Sequence, residues 1–158
     1  MAQRIDTDVK GIAHGLRPYQ LDTIGLSKTI DQMARTVTSA CGLDCVTDIA
    51  AIDDLVPDSA YIHIYRIVQE CLNNIVKHSK ATQAEVVVTL AGRRLEIRVT
   101  DNGTGFDEKP VAASSNGDGF GLMGIRERAR ILGGAVAIRS SAGQGTSVSV
   151  SIALEHDA

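Results

Sequence analysis

Between residues 57 and 80 the apolar side chains Ile64, Ile67, Val68, Cys71, Leu72, Ile75 and Val76 recur at the spacing of one helical stripe. Asp58, after Pro57, is the expected N-cap of this helix. Glu70, Asn74, Lys77 and His78 follow one another at intervals of four, three and one, so the same helix carries four polar groups along an edge beside the stripe. A second helix is predicted over about 28–40, capped by Ser27, with Ile30, Met33, Ala34 and Val37 on its buried face and Gly42 as its stop. The stretch PYQLDTIGL before it reads as a turn. Further upstream, Ile5, Val9, Ile12 and Leu16 line one face of a short amphipathic segment that Gly11 breaks and Pro18 stops; it reads as the end of a longer helix.

Elsewhere the period shortens to two. AEVVVTLA and RLEIRVTD read as strands joined through AGRR, with Leu95, Ile97 and Val99 alternating against Glu96, Arg98 and Thr100, which leaves one face wet. GAVAIRSS and GTSVSVSIAL form a second hairpin through SAGQG, with Val148, Val150 and Ile152 turned inward. LDCVTDIAAI predicts one more short strand. DEKPVAASSNGDG, residues 107 to 119, has the composition of a mobile loop, and the helix LMGIRERARIL after it ends at Gly133-Gly134. Hairpins this short exclude a purely parallel sheet. The predicted fold is α+β, a two-layer α/β sandwich: a mixed, mostly antiparallel sheet with helices on one face.

Composition changes this picture only at the margins. A chain of 158 residues suits one domain, and with two Phe, three Tyr and no Trp its core is aliphatic. A net charge of -3 argues against nucleic acid as the partner. Cys41, Cys45 and Cys71 make no C-x-x-C pair, and no basic-then-apolar leader opens the sequence, so a reducing cytoplasm is the expected location. No apolar run is long enough to cross a bilayer, so no direct membrane insertion of this segment is expected.

Candidate chemistry begins at GDGFGLMG, where Gly119, Gly121 and Gly124 stand at the G-x-G-x-x-G spacing. A dinucleotide fingerprint needs a strand running straight into the first glycine and an acidic residue about twenty positions on, but the preceding strand ends near Thr100 and Gln144 holds the later place. A protein-kinase loop is imitated by Val136-Ala137-Ile138-Arg139, yet the sequence has no H-R-D loop, and Asp101-Asn102-Gly103 is not D-F-G. Ile125-Arg126 after Gly124 excludes a Walker A loop. What remains is a glycine-rich entry to a helix, whose unpaired N–H groups suit a phosphate. The turn from Asp101 to Asp107 has glycines at 103 and 105 that make room for a flat ligand, and Asp101 can accept a hydrogen bond from an exocyclic amine. Asn74 offers an amide oxygen to a hard cation such as Mg²⁺, and Gly143-x-Gly145-Thr146 makes a further turn before the last strand.

In chain order these elements read E-x-x-x-N-x-x-K-H, D-N-G-T-G-F, G-x-G-L-x-G-I-R-E-R and G-x-G-T. The series resembles the four boxes of the ATP-binding domain shared by histidine kinases, type II topoisomerases, heat-shock chaperones and MutL proteins, the Bergerat or GHKL fold. Within that superfamily YRIVQECLNNIVKHSKA and GFGLMGIRERARILGG resemble sensor histidine kinases of the nitrate-sensor type. IAHGLRPYQLDTIGL resembles the passage from their second dimerisation helix into the catalytic domain. The resemblance implies that Asn74 coordinates Mg²⁺ with Glu70 nearby as ligand or polarising carboxylate, and that Lys77 and His78 face phosphates or ribose. It implies that Asp101 reads the adenine amino group, with Gly103, Gly105 and Phe106 around the base and Thr146 supporting the pocket. Gly119, Gly121, Leu122 and Gly124 belong by the same likeness to the lid on the phosphate side.

That resemblance also divides the chain into a remnant of the second dimerisation helix with its linker, residues 1–26, and a catalytic domain, residues 27–158. The implied function is binding of Mg-ATP and transfer of its γ-phosphoryl to a histidine on a dimerisation domain, upstream of a response regulator. This sequence departs from the family in lacking the acidic and basic His-Asp stretch that carries the accepting histidine; His14 and His63 read as structural. Three other functions stay open at this level: ATP hydrolysis with Glu70 as general base, an anti-sigma-factor serine kinase, and a nucleotide-binding module without chemistry.

Overall fold

The computed structural model describes residues 18–106 and 118–154, with the side chains of residues 118–121 left aside. The amphipathic segment over 4–16, His14 and most of the loop from 107 lie outside the described residues. Chain order is α1 (Gln20–Thr23), α2 (Leu26–Cys41), β1 (Asp44–Ile49), α3 (Asp58–Asn74) continuing into a π-helical turn (Ile75–Ser79), β2 (Gln83–Ala91), β3 (Arg94–Asp101), α4 (Asp118–Ile131), β4 (Ala135–Ser140) and β5 (Thr146–Ala153). The five strands form one sheet in the order β1-β2-β3-β5-β4. Only β1 runs parallel to its neighbour; the other three pairings are antiparallel, so the sheet is mixed as its hairpins predict.

One face of the sheet is apolar because side chains alternate across a strand. Val86 and Val88 of β2, Leu95, Ile97 and Val99 of β3, and Val148, Val150 and Ile152 of β5 are all buried. Against them pack Leu26 and Ile30 of α2, Ile64, Ile67, Val68 and Leu72 of α3, and Ile125 and Ala129 of α4. Leu21 of α1 joins the same core at 1% exposure. The opposite face is polar: Arg94 donates to the Ser151 hydroxyl, which donates to Glu96 across the strands.

Several element ends differ from the sequence reading, each for a local reason. The turn at PYQLDTIGL contains the single helical turn α1. Ser27 is the second residue of α2 rather than its cap; Gly25 occupies the cap position at φ 89°, where a Cβ would come within 2.0 Å of an Asp53 carboxylate oxygen. Asp53 Oδ1 supplies the capping acceptor from the loop after β1, taking the Ser27 N–H at 2.9 Å and the Ser27 hydroxyl at 2.8 Å. Pro57 in extended conformation, not Asp58, precedes α3, and Asp58 opens the helix instead. Beyond Asn74 the α-helix widens into the π turn, which rotates Val76 out of the buried stripe to 42% exposure. The stops at Gly42 (φ 71°) and Gly133 (φ 71°) stand where glycine's freedom at positive φ places them.

Asp53 therefore ties β1's exit loop to the start of α2. Replacing it, Asp53→Ala, is expected to lower the unfolding free energy by about 0.5–2 kcal/mol, the usual range for a lost N-terminal cap. Urea denaturation followed by far-ultraviolet circular dichroism measures this, and an unchanged midpoint would show that the cap carries no stability.

Candidate functional site

Asp101 ends β3 directly opposite Thr146, the first residue of β5. Both follow the parity of the buried residues Val99 and Val148, so their side chains rise on the helix-facing side of the sheet, just past the last apolar layer. An open cleft of about 600 Å³ at these strand ends is lined from both faces of the sheet, by Asp101, Ser140 and Thr146 on the helix-facing parity and by Thr100, Arg139 and Ser147 on the other. The Asp101 carboxyl accepts the Gly103 N–H at 2.8 Å. Partial burial pushes its pKa above the ordinary aspartate value, opposed by backbone N–H bonds from Gly103 and Thr146 that favour the charged form.

The glycines beside Asp101 are required by space. A Cβ on Gly103 would lie 2.2 Å from the Ser79 carbonyl oxygen, one on Gly105 2.2 Å from that of Ser141, and one on Gly145 2.0 Å from that of Asp101. Gly105 and Gly145 also hold positive φ, at 63° and 78°. Backbone bonds complete the junction: the Thr104 N–H donates to Ser79 C=O at 2.7 Å, and the Gly143 N–H to Thr104 C=O at 2.6 Å. Asn102, in the same motif, faces the other way, its Oδ1 accepting from the N–H groups of Thr82 and Gln83 at 3.0 Å each. It is a turn-former.

The Thr104–Ser79 bond joins this turn to the end of α3, where the other polar candidates stand. Glu70 and Asn74 are half-buried on the last two turns of α3, one helical repeat apart, while Lys77 and His78 are exposed on the π turn. Ser79 closes that turn with a hydroxyl bond to Ile75 C=O at 2.7 Å, and Lys80 follows at φ 52°. Among the described residues no group of three or more His, Cys, Asp or Glu side chains is placed to hold a metal ion.

On the remaining side, α4 begins at Asp118, four residues before the helix start expected from LMGIRERARIL. Gly119 and Gly121 are thus inside the first turns of the helix rather than in a loop leading to it. Leu122 is buried at 9% exposure, and Gly124 has open space where a Cβ would stand, so packing alone does not demand glycine there. Phe106, half-buried against the core, ends the described part of the turn. His63, on α3, is held below the ordinary imidazole value by burial and then by the Arg128 charge from α4.

Ser140 is the residue that motif reading passes over. It is buried at 7% exposure, and its hydroxyl accepts the Phe106 N–H at 2.8 Å, donates to Gly145 C=O at 3.1 Å and lies 2.8 Å from the Thr146 hydroxyl. The signal was present in the hairpin: counting back from SAGQG pairs Ser140 with Thr146.

The fold is an α+β sandwich with an open cleft at the ends of β3, β4 and β5. The family described as Histidine kinase-, DNA gyrase B-, and HSP90-like ATPase matches residues 60–156, and the chain belongs to it. Its domain is an ATP-binding one. Curated relatives include the sensor histidine kinase LiaS of Bacillus subtilis, 32% identical over 96% of this chain and 41% of that protein. Another is the signal transduction histidine-protein kinase/phosphatase DegS of Brevibacillus brevis, 31% identical over 92% of this chain and 36% of its own length. The chain thus spans less than half of these relatives. Among solved structures, the histidine kinase domain of the blue-light activated histidine kinase from Erythrobacter litoralis superposes with a TM-score of 0.69 at 20% identity. That alignment covers 82% of this chain and 65% of the other.

Because burial raises the Asp101 pKa, its side chain is expected to titrate above the ordinary aspartate range in carboxyl-carbon nuclear magnetic resonance. The sign follows from linkage: the cleft loses its anionic acceptor as pH falls through this raised pKa, so any ligand that donates to Asp101 weakens over the same window. Titration at or below the ordinary value would contradict the burial argument.

Proposed function

We propose that this chain is the catalytic domain of a two-component sensor histidine kinase, holding Mg-ATP and passing its γ-phosphoryl to a histidine on a dimerisation domain. The observation that carries the reading is the Asp101–Thr146 pair at the mouth of the strand-end cleft, in a chain of the ATPase family. In this reading residues 27–158 are the catalytic domain, and residues 1–26 derive from the second dimerisation helix and its linker. The finer likeness to the nitrate-sensor type rests on the two boxes around Asn74 and Gly124. A cytoplasmic location and a downstream response regulator belong to the same reading; no helix among the described residues is long and apolar enough to cross a membrane.

Each residue's role follows from its chemistry. Asp101, ionised, accepts from the adenine amino group, and the space cleared at Gly103 and Gly105 lets the base lie against backbone, with Phe106 and Thr146 completing its pocket. Asn74 and Glu70, one repeat apart on α3, offer oxygens of the kind Mg²⁺ takes, and a bound Mg²⁺ would neutralise phosphate charge. Lys77 and His78 stand on the adjoining turn, where a cationic and an imidazole group suit phosphate or ribose. Gly119 and Gly121 stand in the first turn of α4, whose free N–H groups favour anions, and Leu122 and Gly124 follow on the same phosphate-side helix. The transfer breaks the bond between the γ-phosphorus and the ADP oxygen and forms a phosphorus–nitrogen bond to the imidazole. Glu70, one helical repeat from Asn74, is alternatively the carboxylate that polarises that imidazole N–H. Catalysis of this type is chiefly positioning, so the domain's task is to hold ATP rigidly while the acceptor is delivered.

Asp101→Asn is expected to abolish adenine-nucleotide binding in calorimetric titration while the circular dichroism spectrum stays that of the parent domain, and unchanged affinity removes Asp101 from the site. Incubation with γ-labelled ATP and Mg²⁺, together with a dimerisation fragment of the parent kinase, is expected to place acid-labile, alkali-stable label on that fragment. Release of free phosphate with no labelled protein would favour hydrolysis instead.

A further inference from the structure

Asp101 stands on the last rung of both ladders of β3, paired with Ala84 on one side and Thr146 on the other. Ladder ends are where strands fray, because the last rung is supported by a neighbouring rung on one side only. A carboxyl that presents an acceptor in one direction is poorly served by a fraying strand, so its orientation depends on what holds the chain beyond that rung.

On the β2 side the hold is Asn102. Its Oδ1 accepts the N–H groups of both Thr82 and Gln83 at 3.0 Å, its Nδ2 donates to the Thr82 hydroxyl at 3.0 Å, and its own N–H donates to Gln83 C=O at 3.2 Å. Asparagine often occupies turns because it tolerates positive φ, but among the described residues Lys80 is the one non-glycine residue there. Asn102 is therefore suited to its place by its side-chain bonds and not by its backbone. Thr82, Gln83 and Asn102 are exposed, so water replaces those bonds when the side chain is removed, and the ladder from Ala84–Asp101 to Ala91–Arg94 keeps its own pairing. The sheet survives that loss, while its last rung loosens.

We propose that Asn102 is a positioning residue, a clamp beyond the last β2–β3 rung that holds Asp101 in the orientation from which its carboxyl accepts a ligand's N–H. The inference rests on the reading of Asp101 as the acceptor for the adenine amino group. Asn102 bonds to the start of β2, so it acts on the ligand through Asp101. Loosening the rung costs affinity as lost preorganisation, because the ligand then binds only the fraction of chains whose Asp101 is correctly turned.

The test compares the wild-type chain, Asn102→Ala and Asn102→Asp by calorimetric titration with Mg-ATP and by amide hydrogen exchange of the free chains. Asn102→Asp keeps an oxygen for the Thr82 and Gln83 N–H groups, and the Thr82 hydroxyl can turn to donate to it. Asn102→Ala is expected to weaken ATP about tenfold, the scale of one net hydrogen bond, at unchanged stoichiometry, and Asn102→Asp to stay within about threefold of wild type. The Gly103 amide donates to Asp101 at 2.8 Å and is untouched by the substitution, so its exchange reports on the rung. In Asn102→Ala it is expected to exchange about tenfold faster, while the Val86–Val99 rung exchanges as before. A lowered stoichiometry, or faster exchange throughout the sheet, marks a general loss of fold and overturns the positioning role. Should Asn102→Ala fail to fold, Asn102→Leu, of similar size but without an acceptor, takes its place. Unchanged affinity in the folded variant, or a loss in Asn102→Asp as large as in Asn102→Ala, overturns the clamp and leaves Asp101 in the site. Absence of ATP binding by the wild-type chain overturns the ATP reading itself, and with it this inference.

Discussion

Three backbone segments meet beside Asp101 with no volume between them for a side chain. Gly103 presses on the Ser79 carbonyl, Gly145 on that of Asp101, and Gly105 on that of Ser141, each at a distance where even a methyl group would collide. The contacts link the end of α3, the end of β3 and the hairpin between β4 and β5. A packed interior does not stretch to admit a misplaced atom, so this junction fixes the relative positions of the elements that carry the site's polar groups. Asp101 is held as a consequence, its carboxyl bound to Gly103 within the crowded turn.

The π turn at Ile75–Ser79 belongs to the same constraint. A regular helix would carry Val76 back toward the core; the widened turn exposes it and brings the Ser79 carbonyl to the Thr104 N–H. Ser79 then has two duties, its hydroxyl on Ile75 C=O and its carbonyl against the D-N-G turn. Lys80, in the left-handed region at φ 52°, completes the exit, a conformation that non-glycine residues adopt at some cost. Such departures from regular geometry are kept where position matters more than local stability. Here they join the helix edge bearing Asn74 to the strand end bearing Asp101.

The layers were readable in the sequence because they depend on period: Leu95, Ile97 and Val99 alternate, and Ile64, Ile67, Val68, Cys71 and Leu72 recur on one helical face. Gly42 and Gly133 were readable because a positive φ at a helix end has few other solutions. What escaped was set by partners distant in the chain. Ser27 looks like a cap by its type, but the acceptor at that helix end belongs to Asp53, twenty-six residues on. Gly103 was read as room for a ligand, and it also serves backbone contact with Ser79, which no local pattern announces. Ser140 carries no motif at all. Its importance comes from a hairpin register that places it against Thr146 and from the fold's delivery of Phe106 to its hydroxyl.

The glycine box at Gly119, Gly121 and Gly124 stands in physical contrast to the junction around Asp101. There, glycine is needed because backbone crowds the space; here, Gly124 has open space where a Cβ would be, and all three lie within α4. Each glycine within a helix costs about 1 kcal/mol relative to alanine, so the first turns of α4 give up roughly 3 kcal/mol of intrinsic stability. From Leu122 onward burial compensates, through Leu122, Ile125 and Ala129. An anion at a helix N-terminus returns about 0.3–1 kcal/mol, and up to ~2 in a sheltered site, which offsets only part of that deficit. The strand end at Asp101 and the start of α4 therefore differ in kind: the first is fixed by backbone sterics, whereas the second carries glycines that its packing does not demand.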